Sequence, residues 1–232
     1  MEQTLIPNTF ATITPLRTMY DLTIITPTTG AATLHKAIMS VQRQTMNVHH
    51  LLVVDGPQYI DNVHEQMPKS PIMPIDILVL PHNTGKTTGD YYGHRIYSGV
   101  PALINTRYIS FLDEDNWIKP TFAQKMKEVL TDKRIATCRR TVYKENGEYI
   151  TNDTFESIGD NGQYILYDTN TYMFDRMYYI RRFAHCIYGQ WGADRNLAEA
   201  VHDDPQHIHL PEHLSCYRAP QRLNEFFANK SV

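Results

Sequence analysis

The sequence predicts an α/β protein with a mixed, mostly parallel central sheet flanked by helices. Three observations predict it. Apolar, β-branched runs of strand length alternate with segments of helical period from about residue 21 to 132. The runs are nearly continuous in apolar character, as in strands covered on both faces. Each run ends on a polar cluster: Thr26 and Thr28, then Asp55, then Asn83, then Asp113 to Asp115. In open α/β sheets the crevice beyond the strand ends is where ligands sit, and polar groups there can face solvent or ligand.

Taken in order, residues 1 to about 20 show no clear period and read as an extension or a strand against the body. Leu22, Ile24 and Ile25 begin a strand stopped by Pro27 and Gly30. Leu34, Ile38 and Val41 recur at helical spacing, with Thr33 as the N-cap residue. Leu51 to Val54 is the second strand and Ile75 to Leu80 the third. "DYYGHRIYSGVPALI" is a helix broken near Gly99 and Pro101, and "RYISFLDEDN" is the fourth strand. "PTFAQKMKEVLTD" is a helix with Pro120 near its first turn and Phe122, Met126 and Val129 inward. The pattern then changes. A hairpin turns at Asn146-Gly147, a strand follows in "NGQYILYDTNTYMFDR", and "WGADRNLAEAVHDD" is a helix with Asp194 in its first turn. "HIHLPEHLSCYRAP" is a late strand. No repeat or linker divides the 232 residues, so one domain is expected, with a first half over about 21–132 and a second over about 133–220.

Composition excludes several classes. The formal net charge of -3 argues against nucleic acid or an anionic membrane as partner. Three dispersed cysteines without a CxxC pair argue against a zinc cluster or disulfide framework and suit a reducing, cytoplasmic setting, soluble or peripheral. No run approaches the roughly 18 apolar residues of a transmembrane segment. "GKTT" at 85–88 is not a phosphate-binding loop, because the glycine required five residues before the Gly-Lys pair is Leu80.

The acids Asp113, Glu114 and Asp115 have two readings. One is a solvated turn before the helix at Pro120. The other is a divalent cation site: carboxylate oxygens suit magnesium or manganese, which typically bridge one or two carboxylates to substrate phosphates. In extended chain Asp113 and Asp115 share a face, and Glu114 points elsewhere to support the loop.

The blocks "IITPTTG", "SVQRQT", "VVDGPQ", "NTGKTTGDYYGHR" and "FLDEDN" occur in the order and at the spacing of a family 2 glycosyltransferase of the GT-A fold, which this chain resembles over about residues 21 to 132. The resemblance implies an inverting transfer from a nucleoside diphosphate sugar, UDP first among the nucleotides, to a hydroxyl of a glycan or other acceptor, with Mn2+ or Mg2+. It puts Thr26, Pro27 and Thr28 along the nucleotide, Asp55 against the base, and Asn83, Gly85 and Arg95 near base, ribose and diphosphate. Lys86 stands near the diphosphate. Asp113 would face ribose or metal, with Glu114 beside it, and Asp115 would be the main metal ligand. Asp194 of "WGADR" falls on the family's catalytic base. The chemistry agrees: one carboxylate must take the acceptor hydroxyl's proton, and a metal can carry the leaving group's charge. Trp191, Gly192 and Tyr172 are expected on the acceptor side.

The sequence departs from the family at three places. The second acid and serine of the family's "VVDDGS" are absent, "GHR" replaces "ARN", and Pro220 stands where a metal-binding histidine is usual. His213, or its neighbours His207 and His209, is the candidate replacement. Two other functions remain open on residues alone. A sugar-nucleotide nucleotidyltransferase is disfavoured by the single glycine and missing basic residue of "TPTTGAAT". A sugar-nucleotide-binding module without turnover is disfavoured by the intact Asp113, Asp115 and Asp194.

Overall fold

The computed structural model describes residues 20–85, 91–189 and 191–230; the N-terminal extension and Lys86 lie outside them. The first half runs β1 (Leu22–Thr28), α1 (Leu34–Gln42), β2 (His49–Val54), α2 (Ile60–Gln66), β3 (Ile75–Val79), α3 (His94–Gly99), β4 (Tyr108–Phe111), β5 (Trp117–Ile118) and α4 (Phe122–Val129). The second runs β6 (Ile135–Tyr143), β7 (Tyr149–Asn152), the short pair β8 (Gly159–Asp160) and β9 (Ile165–Leu166), β10 (Tyr172–Asp175), α5 (Arg176–Arg182), α6 (Ala193–His202), β11 (His207–Arg218) and α7 (Asn224–Asn229).

Among the described residues the main sheet has the order β3-β2-β1-β4-β10-β6-β11-β5, with β7 paired to β6. The β1, β2, β3 and β4 strands are mutually parallel, and β11 is parallel to β6, while β10 runs antiparallel to both β4 and β6. This is the mixed, mostly parallel sheet that the strand patterns imply. Successive side chains of β1 serve opposite faces. Leu22 and Ile24 join α1 and α4 through Val41, Phe122 and Met126. Ile25 joins the other layer, where Phe111 lies 4.5 Å from Tyr97 and 5.4 Å from Tyr179 between ring centroids. Each such fully buried Leu, Ile or Phe contributes about 1.5–3 kcal/mol.

Register places the polar strand ends together. Thr28 pairs with Val54, so Asp55 falls one residue beyond, and its N–H donates to the Thr28 carbonyl at 2.9 Å. Ile25 pairs with Phe111, and the Leu112 N–H donates to the Ile25 carbonyl, so Asp113 leaves the sheet beside Pro27 and Thr28.

Some local expectations change. Thr33 occupies the N-cap position of α1 but its side chain makes no capping bond. Helices α2, α5 and α7 were not expected from the residue pattern. Each buries a single residue, Val63, Tyr179 or Phe227, which is too little to show a helical stripe. Of the three, only α5 has a side-chain N-cap: the Asp175 carboxylate accepts from the Tyr178 N–H at 3.1 Å.

Candidate active site

A cleft of about 570 Å³ opens at the carboxyl ends of β1, β2 and β4 and extends to the first turn of α6. One wall is built by carboxylates that hold loops. Glu114 accepts from the Thr28 hydroxyl at 2.5 Å, the Thr29 N–H at 3.2 Å, the Thr29 hydroxyl at 3.0 Å and the Ala31 N–H at 3.0 Å. The loop after β1 is therefore folded around Glu114, the supporting role expected of a side chain pointing away from Asp113 and Asp115. Asp55 does the same for the second loop, accepting from the Thr84 N–H at 2.7 Å and the Gly85 N–H at 3.1 Å. A Cβ on Gly85 would stand 2.8 Å from the Tyr92 carbonyl oxygen, so this close approach admits only glycine.

Pro27, Thr28, Asp55, Asn83, Gly85, Asp113, Glu114 and Asp115 all line the cleft, as do Trp191, Gly192 and Asp194 from the second half. Four expected residues stand elsewhere. Thr26 is fully buried, and its hydroxyl bonds the His50 ring at 2.9 Å on the far side of the backbone. Arg95 does not line the cleft; it donates to the Thr84 carbonyl at 3.2 Å and stacks 3.7 Å from the Tyr91 ring, bracing the Asn83–Gly85 loop from behind. Tyr172 is fully buried, stacked on Phe174 at 5.1 Å, so it is core and no acceptor platform. His213 pairs with Arg139 in the sheet and does not line the cleft with Asp113 and Asp115. Neither His207 nor His209 lines the cleft; both share the Thr137 hydroxyl.

The floor holds a network that the sequence did not reveal. Asp113 accepts from the Tyr97 hydroxyl at 2.5 Å and from Asn170 Nδ2 at 2.7 Å, while its own N–H donates to Asn170 Oδ1. Asn170 Nδ2 also donates to Asp168 Oδ1 at 2.7 Å. Asp168 in turn accepts from Arg140, which donates to Asp153 at 2.8 Å and to Glu156 as well. The guanidinium lies 4.2 Å over the Tyr217 ring. Burial works against the charge on Arg140, but Asp168, Asp153 and Glu156 outweigh it and keep the group ionised. The signal was weak: Arg139 and Arg140 sit side by side in an apolar strand, and only register decides which turns inward.

Burial, followed by the charge of Asp168, pushes the Asp113 carboxyl above its usual range. Asp115 keeps part of its surface open to the cleft, yet the walls strip much of its hydration. That desolvation, followed by the charge of Asp113, pushes its carboxyl up to about 7. A divalent cation fits here. The donors are hard carboxylate oxygens, and no side-chain cation pairs with Asp115 among the described residues. No three His, Cys, Asp or Glu side chains among the described residues form a closed metal cluster. An ion here would complete its shell with substrate phosphates and water.

Asp194 enters from the opposite side. It lies in the first turn of α6 behind Gly192, whose φ of 90° is a left-handed conformation that glycine adopts freely. His94 Nδ1–H donates to the Gly189 carbonyl at 3.0 Å and ties the segment before Trp191 to α3. Two carboxylates from different halves, Asp115 and Asp194, thus face one cavity.

Strand order, loops folded over one crevice and an Asp-x-Asp strand end facing a helix-borne carboxylate define the GT-A class. The family model described as Glycosyl transferase family 2 matches residues 23–191, well over half of the chain, and the chain belongs to that family. Solved structures agree on the fold. TarS 1-349 of S. aureus in complex with UDP-GlcNAc superposes with a TM-score of 0.63 at 14% identity, covering 91% of this chain and 62% of that one. The mannosyltransferase PcManGT of Pyrobaculum calidifontis, in complex with GDP-Man and Mn2+, gives 0.60 at 11% identity, covering 89% and 59%. The chain spans less than two thirds of the length of these structures. A comparison with curated protein sequences found no match. Among the described residues no helix is long and apolar enough to cross a membrane.

Proposed function

We propose that the chain moves a sugar, with inversion, from a nucleoside diphosphate donor to an acceptor hydroxyl. The observation that carries this reading is that Asp115 and Asp194, from different halves of the chain, line one cleft together with the loops organised by Glu114 and Asp55. The donor nucleotide lies against Pro27, Thr28, Asp55, Asn83 and Gly85, and UDP is the nucleotide to test first. The similar TarS structure holds UDP-GlcNAc, and the mannosyltransferase holds GDP-Man with Mn2+.

Asp115 and Asp113 would hold Mn2+ or Mg2+, which when bound supplies charge stabilisation for the departing diphosphate. Asp113 is already oriented by Tyr97 and Asn170, leaving Asp115 as the freer carboxylate. Asp194 takes the proton of the acceptor hydroxyl as that oxygen attacks the anomeric carbon from the face opposite the diphosphate. The new glycosidic bond forms as the bond to the diphosphate oxygen breaks, and no covalent enzyme intermediate is needed. The acceptor enters past Trp191 and Gly192.

Nucleotide release from UDP-GlcNAc and GDP-mannose, measured with and without Mn2+, tests the reading. Asp194→Asn should lower transfer by about 10²–10⁴-fold, the range for loss of a general base, while donor affinity stays within a factor of about two. No release from any activated sugar, or equal loss of transfer and donor binding in the variant, would count against it.

A further inference from the structure

The acceptor side of the cleft carries a cation that the chemistry above does not use. Cleft-lining carboxylates outnumber guanidiniums, and Arg140 is committed to three acids. Arg195 is different. It follows Asp194 directly, is exposed, lines the cleft, and has no ion-pair partner among the described residues. Its guanidinium is flanked by two rings, 5.6 Å from the centroid of Trp191 and 5.3 Å from that of Tyr164. Trp191 itself is 71% exposed. Rings on its flanks attract and orient a guanidinium while leaving its planar N–H edge free. An edge of that kind accepts a carboxylate or phosphate through two parallel hydrogen bonds. An exposed indole beside it offers a face on which a sugar ring packs.

The geometry points to an acceptor that bears an anionic group, a carboxylate or a phosphate, held by Arg195 while its sugar ring lies on Trp191 and its hydroxyl faces Asp194. This inference rests on the transferase reading of the cleft, because the acceptor is defined by Asp194. It names the class of acceptor that an acidic cleft would otherwise repel. Asp115 and Asp194 both disfavour an incoming anion, and the unpaired Arg195 supplies a positive charge that offsets them where the acceptor must arrive.

The test is direct binding, so it does not depend on turnover. Glucose, glucuronic acid and glucose 6-phosphate are titrated into the protein by isothermal calorimetry or saturation-transfer NMR. Each titration is run with the donor site free and again with UDP and Mn2+ saturating. The wild type should bind the two anionic sugars at least tenfold more tightly than glucose, with or without UDP, and the preference should weaken as salt is raised. Arg195→Gln should bring the anionic sugars to the level of glucose, and Arg195→Lys should retain part of the preference. Equal affinity for charged and neutral sugars in the wild type overturns the inference, as does a preference that survives in Arg195→Gln. Loss of the preference when UDP is bound also overturns it, because Arg195 would then be serving the donor diphosphate. Failure of both UDP and GDP to bind would remove the transferase reading, and the sugar titrations without nucleotide would still decide the role of Arg195.

Discussion

Replacing Arg140 with methionine isolates the network under the cleft. The arginine side chain is 4% exposed, and its partners Asp153, Asp168 and Glu156 are 1%, 10% and 25% exposed. Methionine keeps the bulk and packing over Tyr217 but leaves three crowded carboxylates without their cation. Breaking a buried pair from one side costs about 3–5 kcal/mol. At about 2–4 °C per kcal/mol for a chain of this size, the melting temperature should fall by roughly 6–20 °C near pH 7. The pH dependence has a definite sign. In the wild type burial opposes ionisation of Asp153, but Arg140 and backbone N–H groups outweigh it and hold its carboxyl low. That contribution is present above the ordinary carboxylate range and is lost as pH falls through the lowered value. In the variant the same acids are buried without a cation, so their carboxyls rise and protonation relieves the penalty. The gap between wild type and variant should therefore widen from about pH 4 to pH 7. Calorimetric melts at several pH values read it out. A variant melting within about 2 °C of wild type at pH 7, or a gap independent of pH, would refute the reasoning. A fourfold variant that also neutralises Asp153, Glu156 and Asp168 should recover much of the loss, since the cost lies in unpaired charge.

Two further outcomes follow from the donor wall. Glu114→Gln removes a charged acceptor from four donors and should weaken UDP binding about tenfold, equivalent to about 1.4 kcal/mol, measured by calorimetry; unchanged affinity would show that the loop after β1 needs no carboxylate. Because the Asp115 carboxyl is pushed up to about 7, a proton competes with a cation there below that value. Mn2+ affinity should rise roughly tenfold between pH 6 and pH 8 and lose that slope in Asp115→Asn, as titrated by electron paramagnetic resonance.

The fold was readable where one residue pattern had one meaning. Continuous apolar runs such as Leu51 to Val54, closed by turn residues, read as strands covered on both faces, and their polar ends located the crevice. The place of Asp194 was readable because "WGAD" puts an acid in a helix's first turn, while the role expected of it came from the family resemblance. Side-chain direction was not readable at Thr26 or Tyr172. Each lies in or beside polar, ligand-like sequence, yet β-strand alternation turns both into the interior. Asn170 and Asp168 were invisible for another reason. Their role depends on a partner 57 residues away in one case and 28 in the other. No local period records such a contact. The unpaired Arg195 was equally silent, since an exposed arginine on a helix is ordinary until its neighbours are known.

The hydrogen-bonded run from Tyr97 through Asp113, Asn170 and Asp168 to Arg140 crosses from the first half of the chain to the second. The two halves are therefore poor modules. Grafting the second half of a relative that lacks these residues onto this first half would strand Asp113 without Asn170 and leave the crevice with an unbalanced charge. A working chimera would need the junction to carry these five positions as one inherited block, or to replace them together with neutral side chains of matching shape.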